Sequence, residues 1–155
     1  MTDESQFLPA VVGGLAALLA SVAGVVVARR RFLIVDVVGH SMVPSLAHGD
    51  RVLVRRTRRF RTGGIVVAHH QEGGRRTAAG SGPSAWLVKR LAALPGDGIP
   101  EAVAPAVDGG VRRVPAGMAV LLGENPGSVD SRRWGFVPLS DIEGVVVRRL
   151  RSGAG

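Results

Sequence analysis

The chain contains no cysteine. That absence removes disulfides, thiolate metal sites and a cysteine nucleophile together. It leaves the compartment open, because exported proteins also occur without disulfides. Aromatic residues make up only 4% of the 155 residues, whereas hydrophobic residues make up 46%. A core must therefore be built from Val, Leu, Ile and Ala. The chain is long enough for one modest core and little more. Lysine is almost missing as well. Lys and Arg total 20, yet Lys89 is the only lysine. Arginine stays charged at any ordinary pH, while a lysine amine can be desolvated into a base. Long amphipathic helical patterning is absent after residue 31, and there is no internal repeat.

Residues Phe7 to Ala28 are uncharged and mostly apolar. As a helix rising about 1.5 Å per residue, such a run spans a hydrocarbon core of about 30 Å. Pro9 sits in its first turn, where proline is tolerated. The run ends at Arg29, Arg30 and Arg31. Ser21-Val22-Ala23 resembles a signal-peptide cleavage site. The leader Met1 to Gln6 is acidic, however, and secretory signals begin basic. The expectation is a six-residue leader, a retained transmembrane anchor over residues 7–28, and a separate domain over 29–155. A buried soluble helix is disfavoured, because no polar face interrupts the run.

Past the anchor the pattern changes to short strands. Phe32 to Val38, Arg51 to Arg55, Ile65 to Ala68, Trp86 to Leu91, Met118 to Leu122 and Ile142 to Val147 are β-branched or alternating runs. Gly49-Asp50, Gly63-Gly64, Pro95-Gly96-Asp97-Gly98, Asp108-Gly109-Gly110 and Pro115-Ala116-Gly117 punctuate them. The spacing predicts a mostly β domain of about 120 residues. Gly73 to Ser84 reads as a flexible loop and Pro100 to Pro115 as a second irregular stretch.

Three stretches carry chemistry. In Gly39-His40-Ser41-Met42-Val43-Pro44-Ser45-Leu46, a strand leads into a turn that holds Ser41. A hydroxyl beside free backbone N–H groups suits acyl transfer. Read by residue type alone, it is an ordinary loop serine. In Trp86-Leu87-Val88-Lys89-Arg90-Leu91, alternation puts Leu87, Lys89 and Leu91 on one face. If that face is the core, burial lowers the amine pKa and yields a general base. The alternative is an edge lysine with a solvated head. The third stretch, Gly123-Glu124-Asn125-Pro126-Gly127-Ser128-Val129-Asp130-Ser131-Arg132-Arg133-Trp134-Gly135-Phe136-Val137-Pro138, is a turn rich in small polar residues with an Asp–Arg pair.

The order and wording of these stretches resemble bacterial type I signal peptidases. That family's signature runs Ser-Met-x-Pro-Thr-Leu, Gly-Asp, Val-Lys-Arg, Leu-Pro-Gly-Asp, Gly-Asp-Asn and Ser-x-Asp-Ser-Arg-x-Trp-Gly. Here it reads Ser41-Met42-Val43-Pro44-Ser45-Leu46, Gly49-Asp50, Val88-Lys89-Arg90, Leu94-Pro95-Gly96-Asp97 and Ser128-Val129-Asp130-Ser131-Arg132-Arg133-Trp134-Gly135. The likeness covers residues 7 to 150. It implies a signal-peptidase-like β-rich fold and a Ser/Lys dyad of Ser41 and Lys89 that removes signal peptides from exported preproteins. It implies that Ser128 orients the amine, that Asp130 and Arg132 brace the loop, and that Arg90 is structural. Gly39 stands where many relatives carry a serine that helps bind the oxyanion, so the Ser41 N–H becomes the main donor. Ser45 replaces a threonine and Glu124 an aspartate, Gly64 stands where relatives open a strand with aspartate, and the turn before Ser128 is one residue shorter. No cofactor or metal is implied.

Other readings divide on particular residues. His40, His48, His69 and His70 raise a Ser/His triad, but alternation would turn the His40 ring away from Ser41, and His69-His70 reads as a surface pair. The Arg51 to Arg61 stretch lacks interleaved aromatics apart from Phe60, so it suits anionic lipid headgroups better than nucleic acid. Arg29 to Arg31 after the anchor would place the domain in the cytoplasm by the positive-inside rule. The resemblance places it on the outer face, where signal sequences are cut, and that is the expectation here. A cytoplasmic location would suit a dedicated maturation protease, like those that trim the nickel superoxide dismutase leader. A non-catalytic, membrane-anchored binding domain is the reading outside enzymes.

Overall fold

The computed structural model describes residues 4–69, 71–72, 75–76, 86–107 and 109–151. Residues 1–3 of the leader, His70, Asp108 and most of the expected loop Gly73 to Ser84 lie outside that set. The chain divides into two compact units, Met1–Phe32 and Leu33–Gly155.

The first unit is one helix, α1, over Glu4–Arg31. It begins before the apolar run, so Pro9 falls in its second turn, and it continues through the three arginines. From Ala17 onward every residue is exposed, including Leu18, Leu19, Val22, Val25, Val26 and Val27. Ser21 is the one polar residue between Ala17 and Ala28, and its hydroxyl donates back to the Ala17 carbonyl at 2.9 Å. Among the described residues, no helix is long and apolar enough to cross a membrane. The expected anchor is thus helical, but the described residues do not by themselves make a span.

The second unit is mostly β, as the strand runs implied. Its strands are β1 (Phe32–Asp36), β2 (Arg51–Arg56), β3 (Ile65–His69), β4 (Gln71–Glu72), β5 (Arg75–Arg76), β6 (Trp86–Ala93), β7 (Met118–Leu122), β8 (Val137–Pro138) and β9 (Ile142–Arg151). Seven form one sheet in the order β1-β2-β9-β3-β6-β7-β8, and β4 and β5 pair separately. The β2–β9, β9–β3, β3–β6, β6–β7 and β7–β8 pairs are all antiparallel. The loop expected over Gly73 to Ser84 thus contains a strand at Arg75–Arg76. Expected irregularity over Pro100 to Pro115 also needs correcting. A 3-10 turn spans Glu101–Ala106, and Val103 and Val114 are buried in a core cluster with Ala93 and Val120.

Strand β3 shows why the sheet is covered on both sides. Val66, Val67 and Ala68 are all buried. Val67 packs with Val35, Val37, Met42, Leu46, Val52, Val54 and Val88. Val66 and Ala68 pack on the other face with Leu91, Ala119, Leu121, Val137 and Ile142. A continuous β-branched run is what a strand buried on both faces requires. Branched side chains fill this core because so few aromatics are present.

The register carries these faces to Lys89. Val66 pairs with Lys89 and Val67 with Val88, while Leu91 pairs with Leu121. Directly paired residues share a face. Lys89 therefore stands on the Val66–Leu91 side, as alternation implied.

Arg51, Arg56 and Arg58 serve the fold. Arg51 pairs with Asp36 at 2.6 Å, Arg56 with Glu143 at 2.8 Å, and Arg58 donates to the Ile142 carbonyl at 2.7 Å. Only Arg55, Arg59 and Arg61 of that stretch are exposed without such a partner among the described residues.

Truncating Leu91, which is fully buried, to alanine should cost about 2–5 kcal/mol. The same change at the half-exposed Leu150 should stay within about 0.5 kcal/mol. Denaturant titration of the full chain in detergent micelles measures both.

Candidate active site

Ser41 sits in a turn. Strand β1 stops at Asp36, and a short ladder continues it: Val37 N–H donates to the Asp50 carbonyl at 2.8 Å, and Gly49 N–H to the Val37 carbonyl at 2.9 Å. Residues 39–46 then turn, with φ of +88° at Gly39. The left-handed region favours glycine, so the backbone accounts for the missing serine at this position. A Cβ there would meet nothing within 4 Å, which leaves conformation as the constraint.

The turn is pinned at several points. The Ser41 carbonyl accepts from Asn125 N–H at 3.1 Å, and Leu46 N–H closes onto the Met42 carbonyl at 2.8 Å. Ser45 N–H donates to Glu124 at 3.1 Å. Arg90 clamps the same corner through Glu124, the Ser45 hydroxyl at 3.2 Å and the Gly63 carbonyl. Burial alone would raise the Glu124 carboxyl pKa, but hydrogen bonds from Arg90 and Ser45 outweigh it and hold it lowered.

Lys89 is 3% exposed. Its amine donates to the Ser128 hydroxyl at 2.7 Å. Burial drives its pKa below the ordinary lysine value. The Asp130 charge opposes that shift and the Arg132 charge reinforces it. The Ser41 hydroxyl makes no hydrogen bond among the described residues, and nothing there accepts from its backbone N–H. Ser41, Ser128, His40, Asn125, Gly127 and Val129 together line one open cavity of about 260 Å³. Ser41, whose hydroxyl and N–H are free among the described residues, thus shares one cleft with Ser128, the hydroxyl to which the buried amine donates.

Asp130 and Arg132 hold the loop that carries Ser128. Asp130 is fully buried and accepts from Gly123 N–H at 2.7 Å, from Arg132 N–H at 3.0 Å and from the Arg132 side chain at 2.7 Å. Burial would raise its pKa, but the Arg132 and Gly123 hydrogen bonds overcome that and lower it. Arg132 also reaches the carbonyls of Gly123, Asn125 and Pro126 at 3.1–3.2 Å. Asp130 caps the short helix α2 (Ser131–Trp134), and the Ser131 hydroxyl accepts from Leu121 N–H of β7 at 2.9 Å.

Two expectations about histidines are corrected. His40 lies in the turn and lines the Ser41 cavity, so strand alternation does not turn it away. Its ring is stacked with that of His48, with centroids 6.0 Å apart. His69 is half-buried: it packs on Trp86 at 4.5 Å and stands 3.6 Å from Glu143. Among the described residues, no three potential ligands cluster to hold a metal.

Gly123 opens the third stretch, but its type and spacing gave it no role in the site. Extending the Arg90–Leu122 pairing by one residue sets Gly123 beside Lys89. A Cβ there would lie 2.2 Å from the Ser128 oxygen and 2.7 Å from the Ser41 carbonyl. The missing side chain is the space in which Ser128 meets the amine. A glycine at the end of a strand was the signal available for it.

A β-sheet domain that sets two loop serines in one cleft, with a desolvated lysine bonded to one of them, has the build of a serine hydrolase. The family comparison narrows that class. The family described as signal peptidase, peptidase S26, matches residues 11–104 and 100–150. The chain belongs to this family of serine peptidases. No curated protein matches it in sequence.

Placing a methyl group at Gly123 should cost about 1–3 kcal/mol through overpacking. It should also separate Lys89 from Ser128, which a crystal structure of Gly123→Ala checks. Lys89 should itself cost stability. At neutral pH the unfolded lysine is protonated, while burial disfavours the charge in the folded state. That cost is full below the folded midpoint, shrinks above it, and ends near the ordinary 10.5, where both states are neutral. Lys89→Met should therefore be more stable than the parent at pH 7. The difference should vanish at about pH 11, as denaturation across pH will show.

Proposed function

We propose that this protein is a membrane-anchored serine endopeptidase that removes signal peptides from exported preproteins with a Ser41/Lys89 dyad. The observation that carries this reading is the buried Lys89 amine donating to Ser128, which lines the same cleft as Ser41. An amine that donates one N–H to Ser128 keeps its lone pair free once neutral. That lone pair takes the Ser41 proton as Oγ attacks the scissile carbonyl. The oxyanion forms beside the unengaged Ser41 N–H. Collapse of the oxyanion breaks the scissile C–N bond as Lys89 passes its proton to the leaving amine, and the neutral Lys89 then takes a proton from the water that attacks the acyl-enzyme and returns it to Ser41 Oγ. Arg90, Asp130 and Arg132 position the two loops and do not touch the reacting atoms.

The substrate lies extended along the sheet, with small side chains in shallow apolar pockets. Helix α1 anchors the protein. Support comes from the exposed apolar residues between Ala17 and Ala28, the Ser21 hydroxyl bonded within the helix there, and the membrane-bound habit of the family. The domain works on the outer face, where signal sequences emerge. Arg29 to Arg31 favour the opposite orientation by charge. That orientation would suit a cytoplasmic protease dedicated to one leader, and a C-terminal topology tag separates the two.

Incubation of the purified full-length protein with a secretory preprotein tests the reading. Ser41→Ala and Lys89→Ala should abolish cleavage. Lys89→Arg should lose at least about 10²-fold, the share of a general base, although charge and bulk persist. Parent activity should rise with pH through a midpoint below 10.5, because only the neutral amine takes the proton. Cleavage by Lys89→Arg at the parent rate would remove the dyad.

A further inference from the structure

The geometry points to His48 as a positioning residue that holds the nucleophile turn through the lone pair of its Nδ1. This inference rests on the proposed protease reading for its effect on catalysis, but the contact itself does not.

Gly39 N–H donates to His48 Nδ1 at 3.0 Å. The contact takes the place of a missing backbone rung. Val37 pairs with Gly49 and Asp50, so the next rung would draw Gly39 N–H to a carbonyl near residue 47. The Ala47 carbonyl is already taken by Asp50 N–H at 3.1 Å. The Ala47 N–H is taken too, by the Asp50 carboxylate at 2.9 Å. The imidazole supplies the acceptor that the backbone lacks. It fixes Gly39, two residues before Ser41, in its positive-φ conformation.

The other pins on the turn are backbone bonds or the Arg90–Glu124 ion pair. His48 loses its acceptor altogether on taking a proton, since an imidazolium has two donors and no acceptor, whereas the carboxyls of Glu124 and Asp50 keep acceptor capacity when protonated. A proton on Nδ1 sets donor against donor at Gly39. His40 is stacked on the ring with centroids 6.0 Å apart, and Asp50, two residues on, is paired with Arg149 of β9. The turn is thus built to hold Ser41 when His48 is neutral and to release Gly39 when it is charged.

The test uses the full-length, ¹⁵N-labelled protein in detergent micelles. A scalar coupling across the hydrogen bond should join Gly39 N to His48 Nδ1 and disappear on acidification. His48→Asn places an amide oxygen where Nδ1 stands. It should retain kcat and lose activity less steeply in acid than the parent, because an amide oxygen stays an acceptor when the solution is acidified. His48→Ala should lower kcat by about 10²-fold with KM little changed, as displacement of a reacting group does. Absence of the coupling in the neutral protein overturns the proposal. So does a His48→Asn variant that falls as far as His48→Ala, or one as acid-sensitive as the parent. A protein that shows the coupling but cleaves nothing at any pH upholds the His48 contact and sinks the protease reading alone.

Discussion

The Lys89 amine is buried in a sheet of branched aliphatic side chains, and one hydroxyl, that of Ser128, receives its hydrogen bond. Much of the domain's construction answers to that contact. The strand pairing that sets Lys89 opposite Val66 dries the amine. Gly123, beside it, gives up a side chain so that Ser128 has room. Asp130 and Arg132, bonded to each other and to the loop carbonyls, keep Ser128 at the end of that space. A charged amine is disfavoured there and a neutral one is held, which is the condition a lysine base needs.

The second support is the clamp on the nucleophile turn. Arg90 follows Lys89 in β6 and points to the opposite side of the strand. Its guanidinium gathers Glu124, Ser45 and the Gly63 carbonyl. One dipeptide therefore serves two ends: Lys89 reaches the Ser128 loop and Arg90 holds the Ser41 turn. Glutamate at 124 reaches both Arg90 and Ser45 N–H, so the exchange from the family's aspartate keeps the clamp closed. The ion pair is partly solvated, and its worth lies in register rather than in bulk stability. Asn125 N–H, which bonds the Ser41 carbonyl, ties the two loops directly.

The strands of this domain were legible because their signal is local. Val52 and Val54 alternate with Arg51, Leu53 and Arg55 in β2, and both valines are fully buried. Met118–Leu122 is a strand with the bounds its composition implied. Short pieces such as α2 and β8 were not legible, since four residues or two carry no period. Val103 and Val114 were missed for a related reason. They lie in a stretch full of proline and glycine, and only packing against Ala93 and Val120 makes them core. His40 shows the limit of alternation: the rule holds within a strand, and β1 had already ended at Asp36.

By itself the sequence determined the materials: one lysine set in an apolar strand, a serine before a proline turn, an Asp–Arg pair beside a second serine, and an apolar run closed by arginines. Those are properties of residue type and spacing, which a linear chain carries openly. Only the tertiary structure decided that Lys89 donates to Ser128, that Gly123 is the gap through which they meet, and that His48 takes the place of a backbone acceptor at Gly39. The residues of these contacts are separated in sequence by 39, 5 and 9 positions, respectively. Such contacts depend on strand register and on where loops close, and neither is encoded in any one stretch of the chain.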